Sequence, residues 1–222
     1  MEALQNNHAT ALRPVPALTR RVYAFDLLDS GLNGYTEACN YIHRRFARQY
    51  DAQINTFMPR IAIMHRDGVI KAAAGLRRAD QNTVLFIEHY LDEPIETILI
   101  NHFGTPDIVR ENTAEIGNLA ATGPGAIPGL FAHYAAVLEA LGIEYLTCNA
   151  TPQVQAIIQH LGLPFEGLIR AERCRIPDPE QWGRYYDTPS HVMAAPVAGI
   201  LTALENNYGA ALAHARKSGS YQ

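Results

Sequence analysis

The sequence has 222 residues, of which 48% are hydrophobic, enough for one domain of ordinary size with a substantial core. A formal net charge of −4 excludes the strongly basic surface with which proteins bind nucleic acids. The cysteines Cys39, Cys148 and Cys174 are scattered and odd in number, which indicates neither a zinc site nor a disulfide framework. We therefore expect reduced thiols, no metal and a cytoplasmic location.

Residues 1–20 are polar and then contain prolines, and they lack the apolar core of a secretory signal. No run approaches the ~20 apolar residues that span a membrane. We expect a flexible lead-in over residues 1–20, a main domain over 21–190, and a C-terminal helix and tail over 191–222.

Apolar spacing in the first half predicts a series of short elements. They are a strand (22–28), a helix (35–50), a hairpin (59–65 and 69–77), a strand (84–88) and a helix (95–103). The hairpin turn is Arg66-Asp67-Gly68, a strong turn signal. The small residues 72–75 would let a ligand or another backbone approach closely.

The predicted helix over residues 35–50 carries a basic face. Arg44, Arg45 and Arg48 lie on it together with His43. Such a face is either simply solvated or a docking surface for an acidic partner such as acyl carrier protein.

The central stretch, residues 111–151, is organised as strand, glycine-rich turn, helix and strand. The first strand (113–121) contains one acid, Glu115, and the turn is Thr122-Gly123-Pro124-Gly125. Apolar spacing predicts a helix over 127–140 and then a strand over 143–148. A glycine turn that opens a helix presents backbone N–H groups to an anion such as a pyrophosphate or phosphopantetheine, although an ordinary turn fits the pattern as well.

The remaining elements are a helix (152–161), a strand (165–175), an aromatic loop or strand start (182–187) and a terminal helix (197–216). The terminal helix is typical of a packing or dimer helix. Mixed strands with interspersed helices predict an α/β (α+β) sheet covered by helices. We expect the ligand crevice at the glycine turn.

Several stretches of the chain resemble the thermostable hemolysin family and, with the element order, the GNAT acyltransferase superfamily. The stretches are Ala47-Arg48-Gln49-Tyr50, Ala72 to Arg77, Leu85 to Asp92, Ala114 to Ala120, and Trp182 to Asp187. The resemblance implies a GNAT-like mixed sheet over residues 21–190. The block around Glu115 also resembles the central strand of acyl-homoserine-lactone synthases, which take acyl chains from acyl carrier protein.

The resemblance implies an N-acyltransferase that moves an acyl group from an acyl carrier protein or coenzyme A thioester to the amine of a small molecule such as an amino acid. The turn lacks the basic residue that precedes the GNAT glycines, which favours the carrier protein as donor. An amine that attacks a thioester directly needs a base and donors for the oxyanion, but no protein nucleophile.

These requirements assign roles to particular residues. Glu115 is the candidate base or amine-orienting group, and Glu88 is the second candidate base. Asn118 and the backbone of Leu119, Ala120 and Ala121 would polarise the carbonyl and contact the donor. The amides of Gly123, Gly125 and Ala126 would hold the donor phosphate, and Arg77 would bind an acidic group on the acceptor.

Three alternatives stay open. Glu115 is a structural partner of Arg77, or Cys148 carries a covalent acyl group, although buried cysteines are usually inert. The rival from another class is a non-catalytic interaction or membrane-active protein that binds through its sheet edge and terminal helix.

Overall fold

The structure is a computed structural model that describes residues 23–218. Within this range seven strands form one sheet in the order β1-β2-β3-β4-β5-β7-β6. Strands β4 and β5 pair in parallel, and the other neighbours pair antiparallel. The strands are β1 (Ala24–Asp29), β2 (Arg60–Arg66), β3 (Val69–Arg78), β4 (Thr113–Ala121), β5 (Tyr145–Ala150), β6 (Glu166–Arg170) and β7 (His191–Pro196).

Helices cover both faces of the sheet. Alternate residues of β2 show the division, because Ile61 and Ile63 pack with α1 while Ala62 and Met64 pack with α3. Helix α2 packs on the α1 side, and α4 and α5 pack on the α3 side. The helices are α1 (Tyr35–Tyr50), α2 (Ile95–Phe103), α3 (Ile127–Ala140), α4 (Pro152–Leu161) and α5 (Val197–Ser218). None of them is long and apolar enough to cross a membrane.

Much of the predicted order is confirmed. The bounds of α1, α2, α3, α4 and β4 coincide with the predicted ranges. The β2–β3 turn has positive φ at both Asp67 (53°) and Gly68 (71°), as a type I′ hairpin turn requires. At α4 the Thr151 hydroxyl accepts a hydrogen bond from the Val154 amide, and Pro152 opens the helix. The proposed lead-in over residues 1–20 lies outside the described residues.

Two strand predictions are wrong, and one strand was not predicted. Residues 84–88 form no strand; a 3₁₀ helix over Phe86–Tyr90 lies there, because the Glu88 carboxylate accepts from the Leu85 amide and holds the chain in a turn. The strand predicted over 165–175 ends at Arg170. Strand β7 was missed, and it lies between β5 and β6, so the sheet continues past residue 190.

The small residues of β3 accommodate a side chain of the protein itself. Gly75 pairs with Gly117 of β4, and a Cβ built on Gly75 would lie 2.8 Å from the Cβ of Met58. A Cβ on Gly117 would meet the Cε of the same residue at 2.6 Å. The expected close approach is therefore made by Met58, from the connection between α1 and β2.

We predict that Gly75→Ala destabilises the protein more than Gly117→Ala. At Gly75 the clash involves Met58 Cβ, which moves only with its backbone, whereas at Gly117 it involves the flexible end of the side chain. We expect a loss of about 1–3 kcal/mol for Gly75→Ala, typical of overpacking, in the free energy of urea unfolding. An equal or smaller loss than for Gly117→Ala would contradict this packing.

Candidate active site

The sheet opens between its two parallel strands. Residues Thr113 to Glu115 of β4 pair with Tyr145 to Thr147 of β5, and no pairing follows. Strand β4 nevertheless continues to Ala121 and β5 to Ala150. The two strands therefore diverge beyond Glu115, and a cleft enters the sheet there.

Strand β4 is irregular beside this cleft. Its register with β3 passes from Gly75–Gly117 to Ala73–Ala120, so two β4 residues, Asn118 and Leu119, oppose the single Ala74. This is the pattern of a β-bulge. Asn118 has φ of 51°, a left-handed conformation that is uncommon for a non-glycine residue. The bulge turns Asn118 and Leu119 out of the regular ladder, and both line the cleft.

The cleft is mostly apolar. Residues from both faces of the sheet meet in it, because the gap between β4 and β5 joins the two sides. Helix α1 and the chain around residue 182 supply aromatic rings that contact one another, with centroids 5.0–6.3 Å apart for the pairs that link Phe46, Tyr50, Trp182 and Tyr185. Further lining residues are Phe57, Met58, Phe86, Ile116, Phe131, Val154, Ile158 and Phe165.

Glu115 is the buried acid of the cleft. It is 2% exposed, and its Oε2 accepts a hydrogen bond from the Phe86 amide at 2.7 Å. Burial raises the pKa of Glu115 to about 7, even though the Phe86 amide and the nearby Arg77 guanidinium act in the opposite direction. At neutral pH this carboxyl therefore exchanges its proton readily, as a general base must.

Arg77 lies opposite Glu115 in the β3–β4 register but forms no ion pair with it. Its Nη1 donates to the Val84 carbonyl at 3.3 Å. Arg77 therefore influences Glu115 only through its charge. The structure does not contain the Glu115–Arg77 ion pair that was considered as an alternative. Arg77 also lines a second, polar cavity together with Asn55, Thr56, His89, Asp178 and Gln181.

Glu88 is engaged away from the cleft, whose lining does not include it. Its two oxygens accept from Arg110 at 2.6 and 2.7 Å, and from the amides of Leu85 and Ile95. Burial alone would raise the pKa of Glu88, but these hydrogen bonds, with that to Arg110 foremost, bring it below its ordinary value. Such a carboxylate holds the 3₁₀ helix to α2 and is poorly suited to accept a proton.

Cys148 lines the cleft from the α3 side, but its thiol is an inert one. It is 4% exposed, and burial, with the nearby Glu115 second, raises its pKa to about 12. The thiolate that nucleophilic catalysis requires is therefore strongly disfavoured.

A third cavity, which we call the donor cavity, adjoins the cleft on the side of the glycine turn. Its volume is about 530 Å³, and it shares Tyr50, Leu119 and Val154 with the cleft. Of the residues predicted to contact the donor, Ala120, Ala121 and Gly123 line it. Gly125 and Ala126 are not in its lining; they belong to a short 3₁₀ turn that leads into α3.

Sequence reasoning missed several cleft residues. Asn149 is one, and its polarity within the apolar β5 run was the available signal. Its Nδ2 donates to the Tyr90 hydroxyl at 3.3 Å, while its buried Oδ1 has no hydrogen-bond partner. Met58 was missed as well, although the facing small residues of β3 and β4 pointed to a close neighbour. Over residues 23–218 no cluster of three or more His, Cys, Asp or Glu side chains is placed to hold a metal.

The sheet, its opening and the flanking helices define a GNAT-like fold. The chain superposes on FeeM, an N-acyl amino acid synthase from uncultured soil microbes, with a TM-score of 0.58 and 13% identity over 83% of this chain and 97% of that chain. For the AHL synthase LasI the TM-score is 0.55 and the identity 10%, over 85% of this chain and 96% of that chain. For MesI, a CoA-dependent acyl-homoserine lactone synthase, the TM-score is 0.51 and the identity 12%, over 84% of this chain and 95% of that chain. At these identities the likeness establishes the fold.

The family follows from the sequence. The thermostable hemolysin family model matches residues 29–200, so the chain belongs to that family. No curated protein matches the sequence significantly.

We predict that Glu115 makes stability fall as pH rises. The folded carboxyl keeps its proton up to about pH 7, whereas the unfolded one releases it near 4.5. The free energy of unfolding should therefore decrease between these pH values, by up to about 3 kcal/mol, and Glu115→Gln should lack this component. Urea unfolding of both proteins from pH 4.5 to 8 measures the difference. A constant difference across this range would contradict the raised pKa.

Proposed function

We propose that this protein is an N-acyltransferase that moves an acyl group from a phosphopantetheine thioester to the amine of a small, carboxylate-bearing acceptor such as an amino acid. The observation that carries the proposal is a buried carboxyl with a pKa near 7, placed where β4 and β5 diverge. The cleft that holds this carboxyl shares Leu119 with the donor cavity and Arg77 with the polar cavity, so it adjoins both.

The proposed reaction is a direct attack. The donor arm lies in the donor cavity and brings its thioester to the bulge at Asn118 and Leu119, while the acceptor amine enters from the side of Arg77. Glu115 takes a proton from the amine as the new C–N bond forms, a step that contributes about 10²- to 10⁴-fold when the base is well placed. Cys148 has no part in this mechanism.

The bulge suits the developing oxyanion. It takes two β4 residues out of the ladder beside the cleft. The Tyr134 hydroxyl donates a hydrogen bond to the carbonyl of Ala74, the β3 residue opposite them. Backbone donors and the Asn118 side chain in this position would stabilise the tetrahedral intermediate in an apolar surrounding, where such hydrogen bonds are strongest. The C–S bond then breaks, and the thiol, with an ordinary pKa of about 8.5, leaves without a strong acid to protonate it.

Arg77 gives the proposal its acceptor class. Its guanidinium makes a single, long hydrogen bond to a carbonyl and no ion pair within the described residues, so it retains donors for a carboxylate. FeeM, which shares the fold, is an N-acyl amino acid synthase. The fold leaves the acyl donor open. MesI, which shares the fold, is CoA-dependent, whereas the basic face of α1 suits acyl carrier protein.

The function is tested by mass spectrometry of products from a pooled assay. The assay offers acyl carrier protein and coenzyme A thioesters of several chain lengths together with amino acids and small amines. We expect a new N-acyl amino acid. Absence of any N-acyl product from folded protein would overturn the proposal, and lysis of liposomes without an acyl donor would instead support the membrane-active alternative.

With the acceptor identified, we expect Glu115→Gln to lower kcat/KM by about 10²- to 10⁴-fold, because the base is lost while the shape is kept. For the wild type, kcat/KM should rise with pH through about 7. The matched control is Glu88→Gln, a neighbouring carboxyl outside the cleft, whose loss should reduce stability but leave turnover of the folded fraction unchanged. Full activity of folded Glu115→Gln would exclude its role as base.

We further expect Arg77→Met to discriminate between acceptors. Loss of a charged hydrogen bond to the acceptor should lower kcat/KM for an amino acid by about 10- to 100-fold. The corresponding amino acid amide has no carboxylate, so the substitution should change its kcat/KM little. Equal losses of kcat/KM for the amino acid and its amide would show that Arg77 does not bind the carboxylate.

A further inference from the structure

Arg45, on α1, is a half-buried cation in the wall of a cavity. Its Nε is buried and has no hydrogen-bond partner, and within residues 23–218 its guanidinium takes part in no ion pair. A buried donor left unsatisfied is costly, so such groups are rare unless they serve a ligand or ordered water. Arg45 lies in the wall of the donor cavity.

The fold places Arg45 beside the glycine turn. The Tyr41 hydroxyl is 2.9 Å from Thr122 Oγ1 and donates to the Lys71 carbonyl at 3.0 Å, which ties α1 to the first residue of the turn. Arg45 follows Tyr41 by four residues and therefore lies next to it on the same face of the helix. Burial raises the pKa of the Tyr41 phenol, whereas the hydrogen bond to Thr122 and the charge of Arg45 act in the opposite direction.

The surroundings of Arg45 in the donor cavity suit an anion at the end of a slender chain. Gly123 and the first residues of α3, Ile127 and Pro128, line the cavity, and α3 begins without a side-chain cap on its N-terminal amides. Much of the remaining wall is small or apolar, and Gln49, Gln153 and His160 add polar groups to it. The small or apolar residues include Leu119, Ala120, Ala121, Val154 and Ile157.

We propose that Arg45 binds the phosphate of the donor's 4′-phosphopantetheine arm, and that α1 thereby supplies the cation that the glycine turn itself lacks. The inference rests on the proposed function for the identity of the arm. Both acyl carrier protein and coenzyme A carry this phosphate, so the site serves either donor. The neighbouring Arg44 and Arg48 are exposed and do not line the cavity, which separates phosphate binding from a general basic face.

The experiment compares four donors that carry the same acyl group: acyl carrier protein, coenzyme A, 4′-phosphopantetheine and pantetheine, which has no phosphate. For the wild type we expect a higher kcat/KM with phosphopantetheine than with pantetheine. Arg45→Met should lower kcat/KM by about 10- to 100-fold for the three phosphorylated donors and leave the pantetheine thioester unchanged. Equal use of phosphopantetheine and pantetheine by the wild type would overturn the inference without any substitution.

Arg44→Met and Arg48→Met are the matched controls, because each removes one positive charge from the same helix. We expect both to retain activity with acyl-phosphopantetheine. If all three variants lose activity only with the carrier protein, the arginines dock the protein and the phosphate site is refuted.

A calorimetric titration with free 4′-phosphopantetheine separates this inference from the proposed function. Binding that is lost in Arg45→Met but retained in Arg44→Met supports the site, even if no acyl transfer is found. Binding that is the same in both variants and in the wild type overturns it, even if acyl transfer is established.

Discussion

The short parallel pairing of β4 with β5 is the constraint on which the rest of the site depends. A sheet normally stays closed because each strand satisfies the backbone of its neighbour at about 4.8 Å. Here the pairing ends at Glu115 and Thr147, and the strands continue apart. Side chains from α3, α4 and the aromatic groups of α1 line the gap. Glu115 is thus the last β4 residue that pairs with β5, and it lies where the apolar cleft begins.

Glu88 and Glu115 show how the environment of a carboxyl group sets its pKa and therefore its role. Glu88 receives two hydrogen bonds from Arg110 and two from backbone amides, so its charge is well compensated and its pKa is lowered. For Glu115 burial outweighs the effects of the Phe86 amide and the nearby Arg77, and its pKa is raised. Because their environments shift the two pKa values in opposite directions, Glu88 is a structural anion and Glu115 is a candidate base.

The sequence was informative where local chemistry determines the structure. Thr151 caps helix α4 and Pro152 begins it, and both signals are local in sequence. The hairpin turn has positive φ at Asp67 and Gly68, residue types that tolerate this conformation. Residues 84–88 were predicted as a strand because the run Val84 to Ile87 suits one. The Glu88 carboxylate instead accepts from the Leu85 amide, and it is held in place by Arg110, which is distant in sequence. Among site residues, Glu115, Arg77, Asn118 and Leu119 were predicted and do meet in one cleft. Trp182, Tyr185 and Met58 come from connections without helix or strand periodicity, so only the folded chain shows that they meet the α1 rings in the cleft.

In the proposed arrangement one cation binds the anionic group of each substrate. Arg45 holds the donor phosphate at one end of the path and Arg77 holds the acceptor carboxylate at the other, so that binding energy orients the amine and the thioester toward each other. This division leaves the centre of the cleft apolar, which keeps the pKa of Glu115 high. Arg77 lowers that pKa in the free protein. A carboxylate bound to Arg77 offsets this positive charge, which makes the Glu115 carboxylate more basic and also increases its protonated fraction at neutral pH.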